Sequence, residues 1–208
     1  MSQCDGPTAL DLFCGAGGFT LGFQRAGYHV IAGVDYNEQA VQTYDENFDH
    51  SAYQYNLAEV NPLQFDLETG IQQSDVDVVA GGPPCQGFSR SNLQRDSDDP
   101  RNNLVFRFAR YVDYYQPKQF VMENVKGIQT IDDGETIRLL CEDFRDAGYR
   151  VKNRVLNAAD FGVPQKRERM FFIGLRDDID GKPQFPERTH APRNEIQQPT
   201  VQAVTADD

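Results

Sequence analysis

The sequence predicts an α/β fold, in which β-strands alternate with α-helices around a mostly parallel sheet. Short apolar segments alternate with longer segments of helical periodicity along residues 8–176. A glycine-rich turn, CGAGG at residues 14–18, directly follows the first apolar segment. A strand, such a turn and a helix in this order typically open a nucleotide-binding βαβ unit. Many glycine-rich turns bind nothing, so the turn alone assigns no function.

Apolar segments predict seven strands, and apolar residues at helical spacing predict the helices between them. Residues 57–75 have weak periodicity and are compatible with one short helix, and Gly148 is expected to end the last helix. The predicted strands are 8–13, 28–34, 52–55, 76–80, 119–122, 149–156 and 169–175, and the predicted helices are 19–26, 38–48, 104–115 and 135–147.

Asp35 follows the second predicted strand, about 20 residues after the glycine-rich turn. An acidic residue there is placed to bind the hydroxyls of a ribose. It could instead cap the N-terminus of the following helix, and one aspartate can serve both purposes.

The segment GGPPCQGFS, residues 81–89, follows the fourth predicted strand. Its glycines and prolines end the strand and stiffen a loop that presents Cys85. A cysteine in this position is well placed to be a nucleophile, although a free cysteine is more often a small buried apolar residue. The polar stretch at 89–103 is typical of a lid or a mobile loop.

Two further segments carry candidate site residues. Glu123 follows the strand at 119–122 and would lie on the ligand edge of the sheet, unless it is a helix cap or a solvated acid. The segment QKRER, residues 165–169, is the densest basic part of the chain. It is either a solvated surface turn or a contact for a base edge or phosphates.

Composition limits the function classes. The 208 residues suffice for one substantial domain, and neither a membrane-length apolar segment nor a signal peptide is evident, so we expect a cytoplasmic protein with no membrane partner. The four cysteines have no metal-binding spacing, which predicts free thiols and no structural zinc.

A net charge of −12 argues against a nucleic-acid binder at ordinary salt. The many aspartates and few lysines suggest a salt-loving (halophilic) source, with an ordinary acidic cytosolic enzyme as the alternative.

Five segments follow one another along residues 8–176: DLFCGAGGFTLGF, VDYNEQAVQTYDENF, GGPPCQGFS, FVMENVKG and FGVPQKRERMFFIG. In this order they resemble the motifs of the cytosine-C5 DNA methyltransferases. The resemblance implies the class I S-adenosylmethionine-dependent (Rossmann-like) fold, a mostly parallel sheet with one antiparallel strand near 169–175 and helices on both faces.

The resemblance also implies a mechanism on duplex DNA. The Cys85 thiolate would add to C6 of a cytosine flipped out of the helix, and C5 would then take a methyl group from S-adenosylmethionine. Glu123 would hold the base at N3, and Arg169 would contact the base oxygen. Arg167 and Gln165 would support the site, and the loop at 89–103 would cover it. No metal is implied.

For the cofactor, the resemblance places Phe13 on the adenine ring and Gly15 and Gly17 at the methionine end. Asp35 would bind the ribose, and Leu104 would line the adenine pocket. Asn56 stands where the family usually has aspartate near the adenine amino group. Because an amide oxygen can accept that hydrogen bond, we expect weakened rather than lost affinity.

Family members continue into a target-recognition region, whereas here TVQAV at 200–204 resembles the start of a further motif close to the end of the chain. We therefore expect a catalytic domain over 1–176 and a linker over 177–208, completed by a missing C-terminal region or a second subunit. A tRNA cytosine-C5 methyltransferase and a partner-dependent catalytic half of a split enzyme are the alternatives. The target sequence and a paired restriction enzyme are not encoded in these motifs.

Overall fold

One seven-stranded sheet organises the described part of the computed structural model, residues 6–84 and 104–190, with strand order β3-β2-β1-β4-β5-β7-β6. The strands are β1 Thr8–Leu12, β2 His29–Asp35, β3 Ala52–Gln54, β4 Val78–Gly81, β5 Gln119–Val125, β6 Tyr149–Asn157 and β7 Glu168–Arg176. The α-helices are α1 Gly18–Arg25, α2 Glu38–Asn47, α3 Pro62–Thr69, α4 Leu104–Tyr115 and α5 Glu135–Asp146. The predicted α/β alternation is confirmed.

Strands β1 to β5 run parallel to one another, and β7 pairs antiparallel with both β5 and β6. The predicted single antiparallel strand is therefore confirmed. In the β5–β7 register, Val125 lies opposite Arg169, and Glu123 lies opposite Phe171. This pairing brings the start of β7 to the edge of the sheet where β5 ends.

The helices cover both faces of the sheet, as predicted. Ala9, Val30 and Val78 pack with Phe23 and Tyr28 at the α1 side of the sheet. Alternate strand residues face a larger core, in which Phe120 of β5 lies between Phe108 of α4 and Phe144 of α5. Strand β2 has one extra residue relative to β1, because Ala9 pairs with Val30 and Leu10 with Ala32. The bulge at Ile31 shifts which β2 residues face each layer.

The residues after β7 lie against the β6 edge of the sheet. The Arg188 guanidinium is 3.1 Å from the Asp160 carboxylate, and the backbone N–H groups of Thr189 and His190 donate to the Asp160 carbonyl oxygen. Arg154 of β6 lies over the Phe185 ring. The first part of the predicted linker is therefore attached to the sheet, while the domain boundary at residue 176 stays a prediction.

Two negative findings apply to residues 6–84 and 104–190 alone. No helix there is long and apolar enough to cross a membrane. No group of three or more His, Cys, Asp or Glu side chains is arranged to hold a metal ion. Cys14 and Cys141, both buried, are free thiols, as predicted for them.

Candidate active site

The predicted site residues that the structure describes lie along the edge where the parallel strands end. Phe13 follows β1, Asp35 ends β2, and Asn56 follows β3. Glu123 lies near the end of β5, and the antiparallel β7 begins beside it with Arg169. In an open α/β sheet, ligands bind outside the carboxyl ends of the strands. Cys85 lies outside the described residues, as does the predicted lid at 89–103.

The glycine-rich turn has a backbone shape that few other residues could adopt. Gly15 and Gly17 have φ of 54° and 90°, in the left-handed region that favours glycine. A Cβ atom on Gly17 would lie 2.1 Å from the Phe48 ring, so no larger residue fits. A Cβ atom on Gly15 would meet nothing within 4 Å. The turn thus packs against Phe48 at Gly17 and is unobstructed at Gly15, where a ligand could approach the backbone.

Asp35 fixes the turn from the neighbouring strand. Its Oδ2 atom accepts a hydrogen bond from the Gly15 N–H at 2.9 Å, and its Oδ1 atom accepts one from the Asn37 N–H at 2.9 Å. Asn37, whose side chain accepts from the Gln39 and Ala40 N–H groups, is the N-cap of α2. The alternative that Asp35 caps this helix is therefore wrong. Each carboxylate oxygen of Asp35 retains a lone pair with which it could accept a ribose hydroxyl.

The two other predicted cofactor residues lie on either side of this turn in the sheet order. Asn56 Oδ1 accepts from the Ala58 N–H at 3.1 Å, and Asn56 Nδ2 donates to Glu59 Oε1 at 2.8 Å. Its amide is therefore oriented by the protein itself. Leu104 is the half-buried first residue of α4. Their contact with a cofactor stays a prediction.

Tyr36 is a candidate contact that the sequence analysis missed. It follows Asp35 directly, and its side chain is 62% exposed at the ligand edge of the sheet. The flat face of an exposed aromatic side chain can stack on a ring system. The signal in the sequence was an aromatic residue next to a strand-end acid.

Glu123 and Arg169 form the polar centre at the other end of the edge. Arg169 Nε lies 2.9 Å from Glu123 Oε1, and each side chain is about one quarter exposed, at 25% and 23%. The β5–β7 register explains the contact, because Phe171 pairs with Glu123 and Arg169 lies two residues before it on the same face. The structure thus joins two residues that are 46 positions apart in the sequence.

Burial raises the pKa of the Glu123 carboxyl, and the positive charges of Arg169 and Arg167 partly oppose that rise. A carboxyl group with a raised pKa is more readily protonated near neutral pH. It can then donate a hydrogen bond, whereas an ionised carboxylate can only accept one. The pair can therefore offer both a carboxyl donor and a guanidinium donor to one planar ligand.

The backbone that leads to Cys85 lies beside the Glu123–Arg169 pair and is hydrogen-bonded to the neighbouring strand. A Cβ atom on Gly82 would be 3.6 Å from Glu123 Oε2, so the loop backbone passes close to the carboxyl group. The buried Asn124 side chain donates from Nδ2 to the Pro83 carbonyl oxygen at 2.9 Å. Asn124 is a second residue that the sequence analysis missed, and its only signal was a polar residue within a buried strand.

Arg167 and Gln165 differ in where they lie. Arg167 lines a cavity of about 420 Å³ together with Glu123 and Arg169, and its backbone N–H donates to Asn157 Oδ1 at 3.1 Å. Gln165 is exposed and is not among the described residues that line this cavity. The rest of the lining is mainly apolar: Val121, Leu156, Ala158, Phe161, Phe171, Ile173, Phe185 and Pro186.

A comparison with known families matches residues 8–207 to the family described as C-5 cytosine-specific DNA methylase. The chain belongs to this family. The resemblance noted in the sequence is thereby confirmed, and the match extends beyond residue 176. The family assignment also explains why the predicted motif residues meet along one edge of the sheet.

Curated members of the C-5 cytosine-specific DNA methylase family are similar to most of this chain. The Type II methyltransferase M1.HphI of Haemophilus parahaemolyticus is 46% identical over 196 residues, which are 93% of this chain and 52% of the relative. M.DdeI of Desulfomicrobium norvegicum is 45% identical over 178 residues, 81% of this chain and 40% of the relative. The chain thus spans about half the length of these relatives. For M.AquIA of a Picosynechococcus species, 39% identical, the matched region is 91% of this chain and 79% of the relative.

Solved structures show the same fold. A putative DNA modification methyltransferase encoded within an E. coli prophage has a TM-score of 0.69 and 32% identity, covering 84% of this chain and 49% of that chain. The DNMT2 of Spodoptera frugiperda, in a triple-mutant form, also has a TM-score of 0.69, at 24% identity, covering 89% of this chain and 54% of that chain. The second likeness supports the fold alone. The class I methyltransferase fold predicted from the sequence is confirmed.

Proposed function

We propose that this chain is the catalytic region of a DNA cytosine-C5 methyltransferase, which methylates cytosine in duplex DNA. The observation that carries the proposal is the Glu123–Arg169 pair, held 2.9 Å apart beside the loop that leads to Cys85. The glycine-rich turn lies along the same edge of the sheet. The Type II methyltransferases among the relatives support a place beside a restriction enzyme.

S-adenosylmethionine, the methyl donor of this family, supplies an activated methyl group. The described residues fit this molecule, because the turn is open at Gly15 and Asp35 retains acceptor capacity for ribose hydroxyls. Phe13 and Tyr36 offer aromatic faces for the adenine ring. The proposed binding residues are Phe13, Gly15, Gly17, Asp35, Tyr36, Asn56 and Leu104.

The reaction begins with nucleophilic addition by Cys85. Its thiolate sulfur forms a bond to C6 of the cytosine, and the electrons of the C5–C6 double bond make C5 nucleophilic. S-adenosylmethionine, held by the glycine-rich turn and Asp35, would supply the methyl group for C5, with S-adenosylhomocysteine as the leaving group. Transfer of the C5 proton to water then restores the C5–C6 double bond and expels the Cys85 thiolate.

Glu123 and Arg169 stabilise the base during the addition. A protonated Glu123 donates a hydrogen bond to N3, which draws electron density from the ring as the sulfur attacks C6. Arg169 donates to the base oxygen and also holds the Glu123 carboxyl in place. Arg167 adds positive charge at the cavity, and Gln165 supports the segment that leads into β7.

A base in the interior of a duplex is out of reach of these groups, so the cytosine is flipped out of the stack. Sequence-specific DNA contacts come from a C-terminal target-recognition region, within a longer chain or on a second subunit. The relatives that are about twice as long as this chain support such a region.

The proposal is tested by transfer of a labelled methyl group from S-adenosylmethionine to duplex DNA and, in parallel, to tRNA. The chain is assayed alone and with the C-terminal half of M1.HphI supplied as a separate polypeptide. We expect 5-methylcytosine in DNA in at least one of these conditions, and none with Cys85→Ser. Label on tRNA alone, or no label on DNA in either condition, would contradict the proposal.

A further inference from the structure

Three side chains that pack against the glycine-rich turn form a cluster that we name the aromatic cluster. They are Tyr44 in α2, Phe48 directly after α2, and His50. The ring centroids of Tyr44 and Phe48 are 4.6 Å apart, and those of Tyr44 and His50 are 5.5 Å apart. A Cβ atom on Gly17 would lie 2.1 Å from Phe48 and 3.1 Å from Tyr44. The backbone of the turn at Gly17 therefore packs directly against the aromatic cluster.

A continuous series of hydrogen bonds connects the aromatic cluster to Thr20, in the first turn of α1. His50 Nε2 lies 2.8 Å from the Tyr44 hydroxyl, which lies 2.8 Å from Thr20 Oγ1. Thr20 Oγ1 donates to Asp11 Oδ2 at 2.8 Å, and the Thr20 N–H donates to the same oxygen at 3.1 Å. Asp11, Thr20 and Tyr44 are at most 1% exposed, whereas His50 is half-buried.

Because Asp11 accepts the hydrogen bond from Thr20, the donor and acceptor of every other hydrogen bond in this series are determined. Thr20 has one hydroxyl proton and gives it to Asp11, so the Tyr44 hydroxyl must donate to Thr20. Tyr44 then has no proton left for His50, so the Nε2 atom of His50 must carry a proton and donate it. Each hydroxyl proton is thus directed toward Asp11, and the half-buried His50 supplies the N–H group that the Tyr44 oxygen accepts.

We infer that His50, acting through Tyr44 and Thr20, is a positioning residue for the glycine-rich turn, and this inference rests on the proposed cofactor site. The turn is held at both ends, because Asp35 accepts from the Gly15 N–H and Asp11 accepts from the Thr20 N–H. The hydroxyl chain sets the Asp11 carboxyl in the position where it receives Thr20. Fixing the turn before a ligand arrives lowers the entropy lost on binding.

Another buried tyrosine hydroxyl provides a matched control. Tyr149 is also 1% exposed, and its hydroxyl donates to the Pro117 backbone carbonyl at 2.7 Å, before the start of β5 and so at the opposite edge of the sheet from the turn. Tyr149→Phe removes this one hydrogen bond and Tyr44→Phe removes the two of the Tyr44 hydroxyl, and both variants keep the ring. A purely structural role for Tyr44 therefore predicts lower stability in both variants, without faster exchange confined to the turn in Tyr44→Phe.

The experiment compares Tyr44→Phe, His50→Phe and His50→Gln with Tyr149→Phe and the parent chain. Deuterium exchange of backbone amides in residues 12–21, followed by mass spectrometry, reports on the turn without any ligand. Titration with S-adenosylhomocysteine reports on the binding site. We expect Tyr44→Phe to speed exchange in this segment and to weaken binding about tenfold, as loss of the buried hydrogen bond to Thr20 implies.

His50→Phe should show the same two effects at about threefold, because it keeps an aromatic ring but loses the donor. His50→Gln should restore both, since its amide N–H can donate to Tyr44. Tyr149→Phe should leave both unchanged. Equal exchange in Tyr44→Phe and the parent, or equal effects of His50→Gln and His50→Phe, would overturn the inference. Absence of binding by the parent would count against the proposed function alone, because the exchange data still decide the inference.

Discussion

At the residue scale, Asp11 shows how burial alters a group that the sequence gives no reason to single out. Burial raises the pKa of its carboxyl to about 7 from 3.8, against the opposing hydrogen bonds from Thr20, and the nearby Asp35 charge adds to the rise. A raised folded-state pKa means that the folded protein binds a proton more readily than the unfolded chain does. The stability that this provides is complete below the unfolded pKa and is lost as pH rises toward 7.

This sign gives a prediction for Asp11→Asn, which cannot ionise. The free energy of unfolding of the parent, measured relative to that of the variant, should fall as pH rises from about 4 to 7, by an amount on the order of 4 kcal/mol at most. Chemical denaturation at several pH values measures this difference. A difference that stays constant with pH would contradict the assigned ionisation of Asp11.

Asn56 allows a direct test of cofactor affinity. Its Nδ2 atom donates to Glu59, so a carboxylate at residue 56 would face another carboxylate unless Glu59 is changed as well. In Asn56→Asp combined with Glu59→Gln, the amide introduced at residue 59 can donate to the new carboxylate, which keeps an extra acceptor for the adenine amino group. We expect S-adenosylhomocysteine to bind this double variant about three- to tenfold more tightly than it binds the parent.

Glu59→Gln alone is the control for that experiment and should bind like the parent. Equal binding by the double variant and this control would show that residue 56 makes no contact with the adenine amino group, and weaker binding would contradict the assigned hydrogen bond.

Glu123→Gln tests the polar centre. The amide nearly matches the carboxyl group in size but cannot transfer a proton, so methyl transfer should fall by about 10²- to 10⁴-fold. Binding of S-adenosylhomocysteine should not change, since Glu123 is placed on the base and not on the cofactor. Single-turnover methylation measures the first effect and titration measures the second. Equal loss of both would place Glu123 in the cofactor site instead.

Whether the role of a residue can be predicted from the sequence depends on whether that role is set by neighbouring residues or by contacts with distant segments. Cys85, Glu123 and Arg169 could be proposed because each lies in a recognisable motif. The partnership of Asn124 with Pro83, and that of Tyr44 with Thr20, depends on contacts between distant segments. No spacing rule in one sequence specifies such contacts.

At the element scale, the regular pattern of apolar residues accounts for most of the sheet and helices. Helix α4 has the predicted bounds of Leu104 and Tyr115. Strand β5 extends to Val125 rather than Met122, because its last residues pair with the start of β7. The sequence could not show this extension, since it depends on a partner strand that begins 43 residues later. The bulge at Ile31 depends on pairing in the same way.

Strand β7 gives a stability prediction. A Cβ atom on Gly174 would lie 1.9 Å from the Phe120 ring, which is itself packed against Phe144 at 4.1 Å. Gly174→Ala should therefore destabilise the protein by about 1–3 kcal/mol, the usual cost of overpacking a core.

Gly22→Ala is the matched control, because a Cβ atom on Gly22 of α1 meets nothing within 4 Å. Alanine there should stabilise the protein by about 0.5–1 kcal/mol. Denaturant unfolding of both variants measures the contrast. Similar effects of the two substitutions would mean that β7 does not pack on Phe120 as described.

At the scale of the whole molecule, the net charge of −12 governs behaviour in salt. Self-repulsion among the acidic groups disfavours the compact state and is screened by ions. We expect the free energy of unfolding to rise as potassium chloride increases into the molar range, consistent with a salt-loving source. Equilibrium denaturation at increasing potassium chloride tests this, and stability that falls with salt would contradict it.

The central claim is that Cys85 attacks C6 of a cytosine in DNA. Duplex DNA that contains 5-fluorocytosine tests it most directly, because fluorine at C5 cannot leave as the proton does and the adduct persists. After incubation with S-adenosylmethionine and the C-terminal half of M1.HphI, we expect a covalent complex whose modified peptide carries the nucleotide on Cys85. A complex formed through another residue, or 5-methylcytosine made from ordinary DNA with no trapped complex, would contradict the account.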